Sequence, residues 1–139
     1  MKIMSVDLGK ARTGIALGND KDFFAFPKTV ITEYNTEKLI NKIIGCANEY
    51  GAELIVAGLP KNMNGSEGER ADECRAIGEK IEQLSGIKVI MWDERCTTVS
   101  AHTALNYTDT KGKKRKEVVD AVAAVIILED YLKFLKNSR

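Results

Sequence analysis

Asp7, Glu94 and Asp120 are the carboxylates of this 139-residue chain whose types and settings best suit chemistry. Asp7 ends Ile3-Met4-Ser5-Val6, an apolar run too short for a stable helix and suited to a buried strand. Glu94 follows a second such run, Val89-Ile90-Met91-Trp92-Asp93, and Asp120 lies between Val119 and Ala121 at the head of an apolar helix. Taken singly, each has a plainer reading: a turn cap for Asp7, an exposed partner of Arg95 for Glu94, a first-turn acid favoured by the helix dipole for Asp120. An acid with Asp120's apolar neighbours, however, needs a partner if buried. Clustered carboxylates repel and are tolerated only around a cation or with raised pKa values. A set with no supporting His or Cys points to Mg²⁺ or Mn²⁺ rather than zinc. Two such ions about 3.5–4 Å apart activate a water and stabilise a leaving oxygen in phosphodiester cleavage.

Basic residues could supply the matching substrate contacts. Lys111, Lys113, Lys114, Arg115 and Lys116 immediately precede Asp120 in a Gly-containing stretch without apolar periodicity, read as a loop. Lys10, Arg12 and Arg95 extend the positive rim, and Thr97 and Thr98 either orient a phosphate or cap a short helix through Leu105. A formal net charge of +1 gives no long-range pull on a polyanion, so RNA or DNA must be held by this local cluster. His102 and Trp92 are read as structural. Cys46, Cys74 and Cys96, odd in number and without a Cys-x-x-Cys pair, read as reduced thiols, the first two as core filler.

Positioning these groups requires a sheet. Gly9 and Gly14 bracket a tight reversal into Ile15-Ala16-Leu17, and Phe23 to Ile31 forms a third extended segment that Pro27 confines to an edge or a break. Thr36 is expected to cap a helix whose Leu39, Ile40, Ile43, Ile44, Ala47 and Tyr50 share one face, with Gly51 as its stop. Leu54-Ile55-Val56-Ala57 reads as a strand buried on both faces. Ser66 and Glu69 form a capping box for a helix that buries Ala71, Cys74, Ile77, Ile81 and Leu84 and closes at Ser85-Gly86. The last helix is expected from about Glu117 to Leu135. The order predicts an α/β fold: a mixed five-stranded sheet, three antiparallel strands and then parallel ones, with helices on both faces. Adjacent parallel strands would then bring Asp7 and Glu94 together at the carboxyl edge. Length fits one domain over 1–139, and 44% hydrophobic with 29% charged residues is ordinary for a globular chain. No apolar run approaches the ~20 residues of a membrane span, so a cytoplasmic protein with no membrane partner is expected.

Four blocks carry a resemblance. Asp7-Leu8-Gly9 with Arg12, Gly14 and Ala16; Gly58-Leu59-Pro60 with Met63, Gly65 and Gly68; Asp93-Glu94-Arg95 with Thr97-Thr98 and Ala101; and Val118-Val119-Asp120 with Ala123-Ala124 and Tyr131-Leu132 together resemble the YqgF family. The resemblance implies a ribonuclease H-like fold related to the RuvC-type Holliday junction resolvases, and a bacterial cytoplasmic nuclease. Its substrate would be the 5′ end of pre-16S rRNA or, as in some members, a branched DNA junction. It also implies that Asp7, Glu94 and Asp120 form the acidic centre around Mg²⁺ or Mn²⁺. Cys96 stands where a larger apolar residue is expected; RuvC-type enzymes generally use a fourth carboxylate, and the residues near Asp120 supply no obvious one, since Glu117 precedes Asp120 by nearly a turn. The leading expectation is therefore an endonuclease of structured RNA, monomeric or homodimeric. A DNA junction resolvase, a non-catalytic RNA-binding scaffold and an ATPase-like phosphate binder stand as alternatives.

Overall fold

The strands of the chain make a sheet of five, with the first strand at its centre. A computed structural model describes residues 1–9, 12–59, 68–93 and 112–138. Its elements are β1 (Lys2–Leu8), β2 (Arg12–Asn19), β3 (Phe24–Thr32), α1 (Thr36–Tyr50), β4 (Leu54–Leu59), α2 (Glu69–Ser85), β5 (Lys88–Asp93) and α3 (Gly112–Asn137). β1, β2 and β3 pair antiparallel, whereas β1, β4 and β5 are parallel, as the strand and helix order predicts. β3 is an edge strand. Its Pro27 sits at a register shift, Ile15 pairing with Thr29 and Ala16 with Pro27, where a missing N–H costs least.

Two cores flank the sheet. Met4, Val6 and Ile55 face α1 and α2 with Ile43 and Ile81, while Ile3, Val56 and Leu54 face α3 with Ile127, Leu128 and Leu132. Successive strand residues point to opposite faces, so a strand covered on both sides is apolar throughout, and all six residues of β4 are buried. On α3 the buried positions fall in pairs one turn apart, at Ala123 and Ala124, Ile127 and Leu128, and Tyr131 and Leu132. Val125 and Ile126 are half-buried, each about 100° round the helix from a buried neighbour.

Several local expectations shift. Asn35, not Thr36, caps α1; its side chain accepts from the Lys38 N–H at 3.0 Å. Gly51 and Gly86 end α1 and α2 with φ of 80° and 74°, the left-handed conformation that a side chain would strain. α2 begins at Glu69 with Gly68 at its cap and no side-chain cap, and Ser66 lies outside the described residues. Gly78 takes the buried position next to Ile77, and Leu84, beside Ile40 of α1, is 59% exposed. Cys74 is buried and Cys46 half-buried as core filler, and burial pushes the Cys46 thiol up, away from nucleophilic use. Among the described residues no helix is long and apolar enough to cross a membrane.

Candidate functional site

Asp7 is half-buried at the carboxyl end of β1, one residue before the strand's last, Leu8. The turn after it leaves no room for a side chain at Gly9, where a Cβ would collide with the Arg12 carbonyl oxygen. Alternation from Ile3 and Ser5 puts Asp7 on the α3 face of the sheet. Two contacts fix how α3 crosses that face. The Ser5 Oγ, fully buried, donates to the Ala124 carbonyl at 2.6 Å. At Gly18, which pairs with Ile3, an added Cβ would stand 3.0 Å from Leu128 Cδ2.

Two residues down the strand thus correspond to four residues up the helix, about 6.6 Å against about 6 Å. The helix therefore runs antiparallel to β1, and Lys136 Nζ, 5.6 Å from the Phe23 ring centroid, marks its far end beside the β2–β3 turn. One more step of the same size in the other direction brings the Asp120 backbone level with Asp7.

Glu94 lies outside the described residues, and the strand leading to it is not where expected. β4 intervenes between β1 and β5, so the two acid-bearing strands are next-nearest neighbours, about 9.5 Å apart rather than adjacent. Local sequence could not reveal this, because the apolar pattern of a strand says nothing of its place in the sheet. Across the gap, Val6 pairs with Ala57, Gly58 with Trp92 and Leu59 with Asp93. Gly58, level with Asp7, presents no side chain between the two strands.

The basic segment is also rearranged. α3 starts at Gly112, so the backbones of Lys113, Lys114, Arg115 and Lys116 are helical rather than in a loop, and Asp120 lies more than two turns inside the helix. Lys, Arg and Glu are good helix formers, and that propensity prevails where apolar periodicity gives no signal. Arg12 opens β2, on the strand that flanks Asp7. Lys10, Arg95, Thr97, Thr98 and Lys111 lie outside the described residues, as do Cys96, His102 and the short helix expected through Leu105. Trp92 is structural as read: its Nε1 donates to Asp130 Oδ2 at 2.9 Å, and its ring meets Tyr131 edge-on at 5.2 Å. Among the described residues no three Asp, Glu, His or Cys side chains gather around one point; Glu94 and the side chain of Asp120 are not among them.

Two residues at the site carried no motif. Ser5 reads as one small residue in an apolar run, yet it ties β1 to α3. Arg70, in the first turn of α2, donates from Nη2 to the Leu8 carbonyl at 2.7 Å. Its position was the available signal, since a cation near a helix N-terminus opposes the dipole and suggests a partner elsewhere.

Known proteins share this architecture. The chain superposes on the T. thermophilus RuvC in complex with a Holliday junction substrate with a TM-score of 0.65 at 9% identity, over 99% of this chain and 97% of that one, a likeness of fold. A protein of Clostridium botulinum (strain Alaska E43 / Type E3) named "Putative pre-16S rRNA nuclease" is 42% identical over 132 residues, 95% of this chain and 96% of its own. One of the same name from Clostridium beijerinckii is 42% identical over 137 residues, 99% of each. The family described as "RuvX: Holliday junction resolvase" matches residues 1–134. A match along nearly the whole length, carried by a sheet and helix arrangement of the RuvC kind, establishes that the chain belongs to the RuvX/YqgF family.

Proposed function

We propose that the protein is a metal-dependent endonuclease that trims the 5′ end of pre-16S rRNA in the cytoplasm, with Asp7, Glu94 and Asp120 holding Mg²⁺ or Mn²⁺. The observation that carries this reading is the antiparallel docking of α3 on β1, which brings the backbone of Asp120 level with Asp7 although 113 positions separate them in the chain. The donor set fits a hard divalent ion: Asp7 and Asp120 offer only carboxylate oxygens, and the three candidate ligands include no His or Cys. Such an ion, when bound, polarises the scissile phosphate and lowers the pKa of a coordinated water. The protein's own part is to fix Asp7 on a strand held on both sides and to bring Asp120 over the strand ends on a helix anchored through Ser5. The first turns of α3 add cations that neutralise phosphates beside the acids. The names of the relatives support the substrate.

The experiment incubates purified protein with pre-16S rRNA, loop RNA and four-way DNA junctions, with and without Mn²⁺, beside Asp120→Asn. Cleavage of the rRNA precursor that requires Mn²⁺ and vanishes in Asp120→Asn is expected; cutting that persists in the variant removes Asp120 from the centre. The family's description favours a second reading, a DNA junction resolvase. Concerted cutting of two strands would need a symmetric dimer, so preferential junction cleavage by a homodimer would select it. Binding without any cleavage would leave a scaffold, and binding of ATP alone a phosphate-handling relative.

A charge-neutral variant with Lys113, Lys114, Arg115 and Lys116 replaced by Gln is expected to bind all single-stranded RNA sequences more weakly. The slope of log affinity against log salt should become shallower by about 0.7 per lost phosphate contact. An unchanged slope in a filter-binding series would place the phosphate contacts elsewhere.

A further inference from the structure

Arg70 ties the head of α2 to the strand tip that carries Asp7. Its Nη1 pairs with Glu73 Oε2 at 2.8 Å, and its Nη2 donates to the Leu8 carbonyl at 2.7 Å with the side chain 29% exposed. Leu8 follows Asp7 directly, and the parallel ladder between β1 and β4 stops earlier, at Val6 and Ala57. The last peptides of β1 therefore extend beyond that ladder, and the guanidinium bonds to one of them. Because Glu73 pairs with the guanidinium, its contribution is chiefly one of direction. A planar fork makes two bonds at a fixed angle, which a lysine ammonium cannot reproduce.

We propose that Arg70 is a positioning residue: by holding the Leu8 carbonyl to the head of α2, it fixes the β1 tip so that the Asp7 carboxylate is set for a divalent cation. The inference rests on the metal centre proposed above. Groups that orient a metal ligand typically change metal affinity 10–100-fold when removed.

Mn²⁺ binding to the nucleic-acid-free protein, read from the electron paramagnetic resonance of free Mn²⁺, tests this with Arg70→Ala, Arg70→Lys, Glu73→Gln and Asp7→Asn. Arg70→Ala should weaken Mn²⁺ by about tenfold or more. Arg70→Lys, which retains one donor, should recover part of that loss, and Glu73→Gln, which leaves the Leu8 bond, should bind within about twofold of the parent. Thermal melts of the same metal-free proteins separate affinity from folding. If Asp7→Asn loses Mn²⁺ but Arg70→Ala binds as the parent does, Arg70 is only a structural tie and the inference is overturned alone. Parent-like Mn²⁺ binding by Asp7→Asn overturns the proposed centre and this inference with it. Should Arg70→Ala not fold, Arg70→Gln carries the comparison, and parent-like affinity in it counts against the inference in the same way.

Discussion

Asp7→Asn is expected to lower single-turnover cleavage by at least about 10³-fold while leaving the fold intact. The loss of a charged ligand removes several kcal/mol of transition-state stabilisation, and each 1.36 kcal/mol is a factor of ten. The substitution keeps the size and shape of a half-buried side chain, so its packing on the strand is retained. Removing one member of a carboxylate cluster also relieves repulsion when no ion is bound. The metal-free melting temperature should accordingly hold or rise. Cleavage with excess protein and a thermal melt on one preparation decide the matter: a rate within tenfold of the parent would dismiss Asp7 as a ligand.

Leu128→Ala carries the second large effect, this time on stability. Leu128 is fully buried in the α3-side core and packs toward Gly18, where the strand leaves space for its methyl groups. Truncation of such a residue costs about 2–5 kcal/mol, through lost burial and the cavity that remains. With a urea dependence of about 1–3 kcal/mol per molar, the unfolding midpoint should fall by at least about 0.7 M at unchanged slope. A shift of under a few tenths of a molar would mean that α3 is not held by this face. Because α3 also sets the height of Asp120, cleavage in mild urea should fail in this variant before the parent loses it.

Much of this arrangement was legible in the residues, and the exceptions share a cause. The β1 run, the doubly buried β4, the apolar face of α1 and the glycine stops at Gly51 and Gly86 follow from period, capping and backbone freedom, which are properties of neighbours in sequence. The placement of β4 between β1 and β5 is a property of the whole sheet, so the expected adjacency of the two acid-bearing strands gave way. Lys113 to Lys116 were read as loop because charge hides periodicity, although their helix propensity was present all along. Leu84 fits the helical period yet lies outside the core, since period alone does not say how far round a helix its neighbours reach. The Ser5 and Arg70 bonds link elements far apart in the chain, and no local pattern announces either one. The Asp120 backbone comes level with Asp7 on α3, whereas Glu94 lies outside the described residues.

The Ser5 to Ala124 bond spans 119 positions. Until α3 has left the ribosome, Ile3, Val56 and Leu54 have no cover on that side, and contacts of such long range form late. A nascent polypeptide that lacks α3 thus has a sticky, unfinished sheet and nothing to bring the Asp120 backbone level with Asp7.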